Sequence, residues 1–271
     1  MRVFESKPTF DLPDEWVAVC GDWHANVGWL RVVAPAIGRL MPEITTILQL
    51  GDWWTDAEYT DPIFTGAGIS RVLVTLGNHE PWDEISPLLG ARPGEAVRVS
   101  EVSWLLPRPF RFRIGEREVL SLGGATSVDR AWRTEGRDWW PDEAITDTQV
   151  EAAIAGGPAD VLLTHESPEG TPVREVQQVL RENPGGFPDA ELRESAASRQ
   201  RVTQVWDAVR PELLLHGHMH VAGAGRTADG RAVVSVGSDA QPGSVVFLHL
   251  PTLITITPSL SELRDAAGRQ W

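Results

Sequence analysis

The feature that most limits the possible folds is a repeated junction. A short apolar run ends in a glycine, and an aspartate, asparagine or histidine follows at once. Residues 16–20 lead into Gly21-Asp22, 45–50 into Gly51-Asp52, and 71–76 into Gly77-Asn78. Runs of four to six apolar, β-rich residues without polar alternation read as strands buried on both faces. Three of them in succession predict one edge of a mostly parallel α/β sheet. Between the first two, Asn26 is a plausible cap for a helix over residues 27–40, which Pro42 closes.

Further on, the pattern predicts strands over residues 96–105, 109–114 and 116–122, with Gly115-Glu116 as the turn between the last two. A polar, tryptophan-rich loop follows at 127–142. Residues 146–155 read as a helix and 160–164 as a strand ending at His165. A long helical pattern covers 188–209, with Asp189 as its cap. Another short strand, 212–215, ends in His216-Gly217-His218-Met219-His220, and strands are expected at 232–236, 244–250 and 253–257. Strands from two regions suggest two sheets with helices packed outside them. The loops at 55–70, 127–142 and 182–200 have no pattern from which to build them. No repeat or long Pro/Gly/Ser linker interrupts the 271 residues, so one domain, 1–271, is expected.

Composition removes several classes. Hydrophobic residues make up 42% and charged residues 23%, which suits a globular chain. No apolar stretch is long enough to span a bilayer, and the polar N-terminal segment lacks a secretory signal's apolar core. The one cysteine, Cys20, cannot form an internal disulfide, which fits a reducing cytoplasm. At a strand end it reads as a small buried hydrophobe. The net charge of −14 argues against a duplex-binding face, so nucleic acid is a disfavoured partner. A small phosphorylated substrate remains compatible if local cations offset the overall field. Oligomeric state has no signature in the chain.

The polar residues at the strand ends carry the chemistry. In chain order they are Asp22 and His24, Asp52, Asn78 with His79 and Glu80, His165, and His218 with His220. Ligands of open α/β sheets bind outside the carboxyl ends of strands, so these distant residues can meet in one cleft. Carboxylates, an amide and imidazoles suit divalent Mn, Fe or Zn. In extended backbone, residues i and i+2 point the same way, so Asp22 with His24, and His218 with His220, can each offer two donors to one cavity.

The series GDWH, GDWW, GNHE, THES and GHMH resembles the calcineurin-like metallophosphoesterase superfamily. That family's pattern runs Asp-x-His, Gly-Asp, Gly-Asn-His-(Asp/Glu), a lone His, then Gly-His-x-His. The resemblance spans residues 17–221. It implies an α/β fold, an αββα sandwich of two mixed β-sheets flanked by helices. It implies a dinuclear site in which Asp22, His24 and His220 hold one divalent ion, Asn78, His165 and His218 hold the other, and Asp52 bridges them. Manganese is the first expectation, with iron or zinc as alternatives. His79 would face the leaving group. The implied activity is phosphomonoester or phosphodiester hydrolysis, with a metal-bridging hydroxide as nucleophile. A metal-dependent nuclease and a catalytically inactive scaffold are the competing readings.

One position departs from the pattern. Many family members have a second Asp three residues after the bridging one, where it orients the histidine. Here that residue is Thr55, and Asp56 or Glu80 is left as a substitute. Arg133 and Arg137, with Arg130, lie in the 127–142 loop and are candidate phosphate grips, or simply solvated partners of its acidic residues. His216 and His249 read as structural, and Trp23 as core. The pairs Trp53-Trp54 and Trp139-Trp140 read first as packing and second as cleft lining.

Overall fold

The structure, a computed structural model, describes residues 1–268. Two β-sheets lie face to face. From edge to edge, the first has eight strands among the described residues: Glu5–Lys7, Ala96–Arg98, Ser103–Leu105, Arg71–Val74, Thr46–Gln49, Trp16–Cys20, Val245–His249 and Ile254–Ile256. The second has seven: Gly223–Arg226, Ala232–Ser235, Leu213–His216, Val161–Thr164, Arg117–Leu122, Phe110–Ile114 and Asp11–Leu12. Each has a parallel centre and antiparallel pairs toward its margins, except that the edge strand Asp11–Leu12 of the second sheet runs parallel to Phe110–Ile114. Seven α-helices are present among the described residues: α1 Val27–Leu40, α2 Ala57–Thr65, α3 Trp82–Gly90, α4 Asp147–Ala155, α5 Arg174–Glu182, α6 Asp189–Val209 and α7 Leu260–Ala266.

Strand alternation sorts the residues into layers. Val17, Val19, Leu48 and Leu73 face the second sheet and pack with Val119, Val161, Leu163 and Leu215. Their sequence neighbours Ala18, Cys20, Ile47 and Val72 face outward, against Leu30 and Ile37 of α1, Phe64 of α2, Ile85 of α3 and Leu263 of α7. On the far side, Leu120, Leu162 and Leu214 meet Val150 of α4, Val176 of α5 and Val202 and Val205 of α6. The chain is thus the expected αββα sandwich. Among the described residues, no helix is long and apolar enough to cross a membrane.

Local chemistry explains most element ends. Asn26 caps α1 by accepting from the Trp29 amide at 3.0 Å, and Thr146 forms a capping box with Gln149 on α4. Two expectations need correction. Residues 96–105 are not one strand. Ala96–Arg98 and Ser103–Leu105 are antiparallel, because the buried Asp61 carboxylate of α2 accepts from Ser100 Oγ at 2.7 Å and from the Glu101 amide at 2.8 Å, pinning a turn between them. Asp189 does not cap α6. Pro188 sits at the cap with ψ 148°, and Asp189 is the first helical residue, where its charge suits the helix N-terminus.

The parallel strands set the level of the site. Cys20 pairs with Gln49 and Gln49 with Val74, so three strands of the first sheet end in one row. Thr164 pairs with His216 in the second sheet. Every candidate donor follows one of these five carboxyl ends. Leu48 lies between the sheets and is buried. Leu48→Ala should therefore lower unfolding stability by about 2–5 kcal/mol, read as a shifted urea midpoint at unchanged slope.

Candidate metal centre

Asp22, His24, Asp52 and His220 bring one ligand atom each to within 4.8 Å of one another. His220 Nε2 is 3.0 Å from Asp22 Oδ2, and His24 Nε2 is 3.9 Å from the same oxygen. Asp52 turns both ways. Its Oδ2 lies 3.6 Å from His24 Nε2, and its Oδ1 lies 3.4 Å from His165 Nε2. On that second side His165 Nε2 is 2.8 Å from Asn78 Oδ1, and the His218 ring stands 4.9 Å from the His165 ring. The seven residues thus gather in two groups with Asp52 between them.

Both carboxylates are almost wholly buried; Asp52 Oδ2 has no hydrogen-bond partner among the described residues, and Asp22 Oδ2 is met by the His220 ring nitrogen. A buried charged oxygen without a donor is costly unless a cation meets it, and hard oxygens beside imidazoles form a set suited to divalent ions. The residues therefore fit a metal centre. Burial pushes the Asp52 carboxyl up, yet the charge on His165, the nearby His24 ring and the His79 charge and amide hold it well below the ordinary carboxylate range. Asp22 is lowered too: against burial stand the His165 charge and a hydrogen bond from His220. Burial drives the His218 ring well below its usual pKa. For His24, burial is outweighed by Asp239, Asp52 and Asp22, which raise it to about 10.

The ring orientations are set from behind. His24 Nδ1 meets Asp239 Oδ1 at 2.8 Å, and Asn26 Nδ2 donates to Asp239 Oδ2 at 2.5 Å. A carboxylate only accepts, so Nδ1 carries a proton and Nε2 is aimed at Asp22 and Asp52. His165 Nδ1 likewise donates to the Leu50 carbonyl at 2.6 Å. Asn78 Nδ2 donates to Ser127 Oγ at 2.8 Å, leaving its oxygen for the centre. Ser127 in turn donates to the buried Glu143 at 2.7 Å. Asp239, Ser127 and Glu143 were not foreseen. Asp239 does carry a signal: it follows strand Ala232–Ser235 through Val236-Gly237-Ser238, another glycine just past a strand end.

The backbone is strained at the same place. His24, Asp52, His218 and His220 all have positive φ, between 46° and 63°. This left-handed region is sparsely used by non-glycine residues, with Asp and His among the more tolerant. Gly51 has φ +99°, and a β-carbon there would also overlap His165 Nδ1 and the Gly77 backbone. At Gly217, a β-carbon would overlap Asp22 Oδ1. The glycines thus serve close approach as well as turning.

His79 sits at the rim, beyond the two groups. Its amide donates to Asp52 Oδ1 at 2.8 Å. Its Nδ1 touches the Arg133 guanidinium, and its Nε2 is 3.9 Å from Asp129, which also lies 3.6 Å from Arg133 Nε. Burial lowers the ring's pKa; Asp52 opposes this, while Arg133 adds to the lowering. Neither substitute for the missing aspartate touches His79. Asp56 caps α2 through the Tyr59 amide at 3.1 Å, and Glu80 accepts from the amides of Trp53, Trp54 and Gly77 at 3.0–3.1 Å. Arg137 is exposed and makes no side-chain contact among the described residues, and Arg130 lies over the Trp139 ring, 3.6 Å from its centroid.

The remaining aromatic and imidazole residues also separate. Trp23 is buried and stacks on Phe64 at 5.5 Å, and Trp53 is buried. Trp54 stands 5.6 Å from the His24 ring and 5.3 Å from His79. His216 is buried behind the site with its pKa lowered to about 4 by burial. His249 bonds to Thr252 and Glu15 at the opposite end of its strand. Two clefts meet at His79. One of about 640 Å³ is lined by Trp54, Arg133 and Trp140; the other, about 650 Å³, contains Asp52, Asn78, His218 and His220.

A family model described as calcineurin-like phosphoesterase matches residues 16–222. The chain belongs to the calcineurin-like phosphoesterase family. Two solved structures share its fold. TT1561 of Thermus thermophilus has a TM-score of 0.51 at 13% identity, covering 91% of this chain and 99% of that one. A dimetal phosphatase from Danio rerio has a TM-score of 0.52 at 11% identity, covering 88% and 93%. Comparison with curated proteins finds no match.

The Asp239 brace is testable apart from activity. Asp239→Ala frees the His24 ring and should weaken divalent-metal binding by roughly 10–100-fold in calorimetric titration. The far-UV dichroism spectrum should not change.

Proposed function

We propose that the protein is a divalent-metal-dependent hydrolase of small phosphate esters. Asp22, His24 and His220 would hold one ion, and Asn78, His165 and His218 a second, with Asp52 shared between them. The observation that carries this reading is the pair of buried carboxylate oxygens, Asp22 Oδ2 and Asp52 Oδ2, facing only imidazole nitrogens at the strand ends. The donor set suits manganese first, with iron or zinc as alternatives. When bound, such ions neutralise phosphoryl oxygens and make a water molecule acidic enough to attack at neutral pH. That chemistry needs no nucleophilic side chain.

The chain's own residues supply the rest. Asp52 offers one oxygen to each side, which an amide cannot do with charge. A guanidinium only donates, so Arg133 makes His79 Nδ1 the acceptor and leaves the ring proton on Nε2. His79 can then hydrogen-bond to, or protonate, a leaving oxygen. Arg133 in this reading orients His79 and adds positive charge beside the phosphate. Trp54 packs near both His24 and His79 and limits water at that side. Cys20 takes no part: it is buried in the outer core, and desolvation raises its thiol pKa. The lone buried thiol agrees with a reducing cytoplasm.

Three outcomes test the reading on a panel of phosphate mono- and diesters. Chelator treatment should abolish hydrolysis, and added divalent metal should restore it. Asp52→Asn should remove detectable turnover and weaken metal loading; near-normal turnover in that variant rejects the site. His79→Ala should lower kcat by about 10²–10⁴-fold while metal content stays at the wild-type level.

A further inference from the structure

The cleft of about 650 Å³ beside the candidate centre extends well past the metal donors. Its outer wall is formed by the 3₁₀ turn Arg130–Trp132, the end of α5 and the start of α6. Trp132 and Phe187 face each other across the chain at 5.5 Å with their rings tilted by 38°. Trp132 is 62% exposed, an unusual setting for so large an apolar side chain. Leu180, Leu192, Met219 and Val128 continue the same wall.

Phe187 is held in place by its own loop. Asn183 ends α5 in the left-handed conformation, φ 43°. Its side chain accepts from the Phe187 amide and donates to the Phe187 carbonyl, both at 3.0 Å. Trp132 is braced by its amide to the Asp129 carbonyl at 2.9 Å.

Most of the polar groups on this wall are already engaged. Asp129 Oδ2 faces Arg133 at 3.6 Å while its Oδ1 is buried without a hydrogen-bond partner among the described residues, and Asn183 is used by Phe187. Arg199 donates to Glu169 at 2.7 Å and to Ser195 at 2.7 Å. The wall therefore offers apolar and ring contact and few free hydrogen-bonding groups. A sugar or base edge brought here would lose its water contacts without replacement, whereas an apolar ring would gain from burial.

We infer that this cleft binds the organic group of the phosphoester, and that the group is apolar and ring-bearing, an aryl or arylalkyl ester. The inference rests on the phosphoesterase reading, because its placement beside Asp52, Asn78, His218 and His220 is what puts a phosphate at the cleft's inner end. Trp132 and Phe187 would be the specificity-determining residues.

The test uses the metal-loaded full chain and two esters whose leaving alcohols have similar acidity: 2-(1-naphthyl)ethyl phosphate and ethyl phosphate. Calorimetry with naphthylmethylphosphonate and methylphosphonate gives a readout free of turnover. The aryl member of each pair should be favoured by about tenfold or more, in kcat/KM and in Kd. That preference should fall at least about fivefold in Trp132→Ala and in Phe187→Ala, as expected for a hydrophobic pocket contact. Tyr59→Ala, an exposed aromatic on α2, should leave it unaltered. Equal constants for the two members, or a preference that survives both truncations, overturn the inference and leave the phosphoesterase reading standing. If neither ester is cleaved and neither phosphonate binds while metal loads, both fall together.

Discussion

The structure depends on two carboxylates, Asp22 and Asp52, held out of water at the rim of an apolar sandwich. Each is only about 1% exposed. An uncompensated carboxylate in such surroundings is strongly unfavourable. The fold answers with imidazoles on both sides of Asp52 and with amides from His79 and His218. The two Oδ2 atoms, one on each carboxylate, face only imidazole nitrogens, and both lie within the cluster. A cation is the natural complement of these two oxygens.

That constraint reaches into the backbone. The candidate donors leave parallel strands and turn toward one point within one to four residues. Four of them do so with positive φ, a conformation that costs of order 1–3 kcal/mol at a non-glycine residue. Glycines at 51, 77 and 217 let neighbouring segments close to distances that a β-carbon would forbid. The sandwich holds this strain because the strands beneath are fully buried on both faces. Stability in the core and geometry at the rim are parts of one arrangement.

Around the centre, the chain departs from its family's pattern in one instructive way. At the position where many family members carry an aspartate that orients a histidine stands Thr55, buried and without a hydrogen-bond partner for its hydroxyl among the described residues. A guanidinium, Arg133, meets His79 Nδ1 instead. A carboxylate partner would favour the imidazolium, while a guanidinium disfavours it, so the two devices hold the ring in different proton states. The Arg133 loop also carries Ser127, which holds Asn78, and Trp132, which walls the second cleft. One irregular segment thus supplies Ser127 beside Asn78, Arg133 beside His79 and Trp132 beside the second cleft.

Much of this was legible in the chain. Strand runs such as Trp16–Cys20 and Val161–Thr164 are short, apolar and punctuated by glycine or a polar residue, so local pattern sufficed to find them and their order revealed the family. The candidate donors Asp22, His24, Asp52, Asn78, His165, His218 and His220 could be named because each follows such a run. Asp239 escaped notice although it follows a glycine too, because its partner His24 lies 215 positions away. The split at residues 96–105 escaped because the agent is Asp61, on a helix with an internal proline. Arg133 could be named as a candidate but not given its contact, and Trp132 with Phe187 could not be paired at all. Sequence determines periodicity, caps and the residue types at strand ends, since these act over a few residues. Which loops close over the strand ends, and which side chains meet there, is decided by packing between distant segments, and only the tertiary structure contains that.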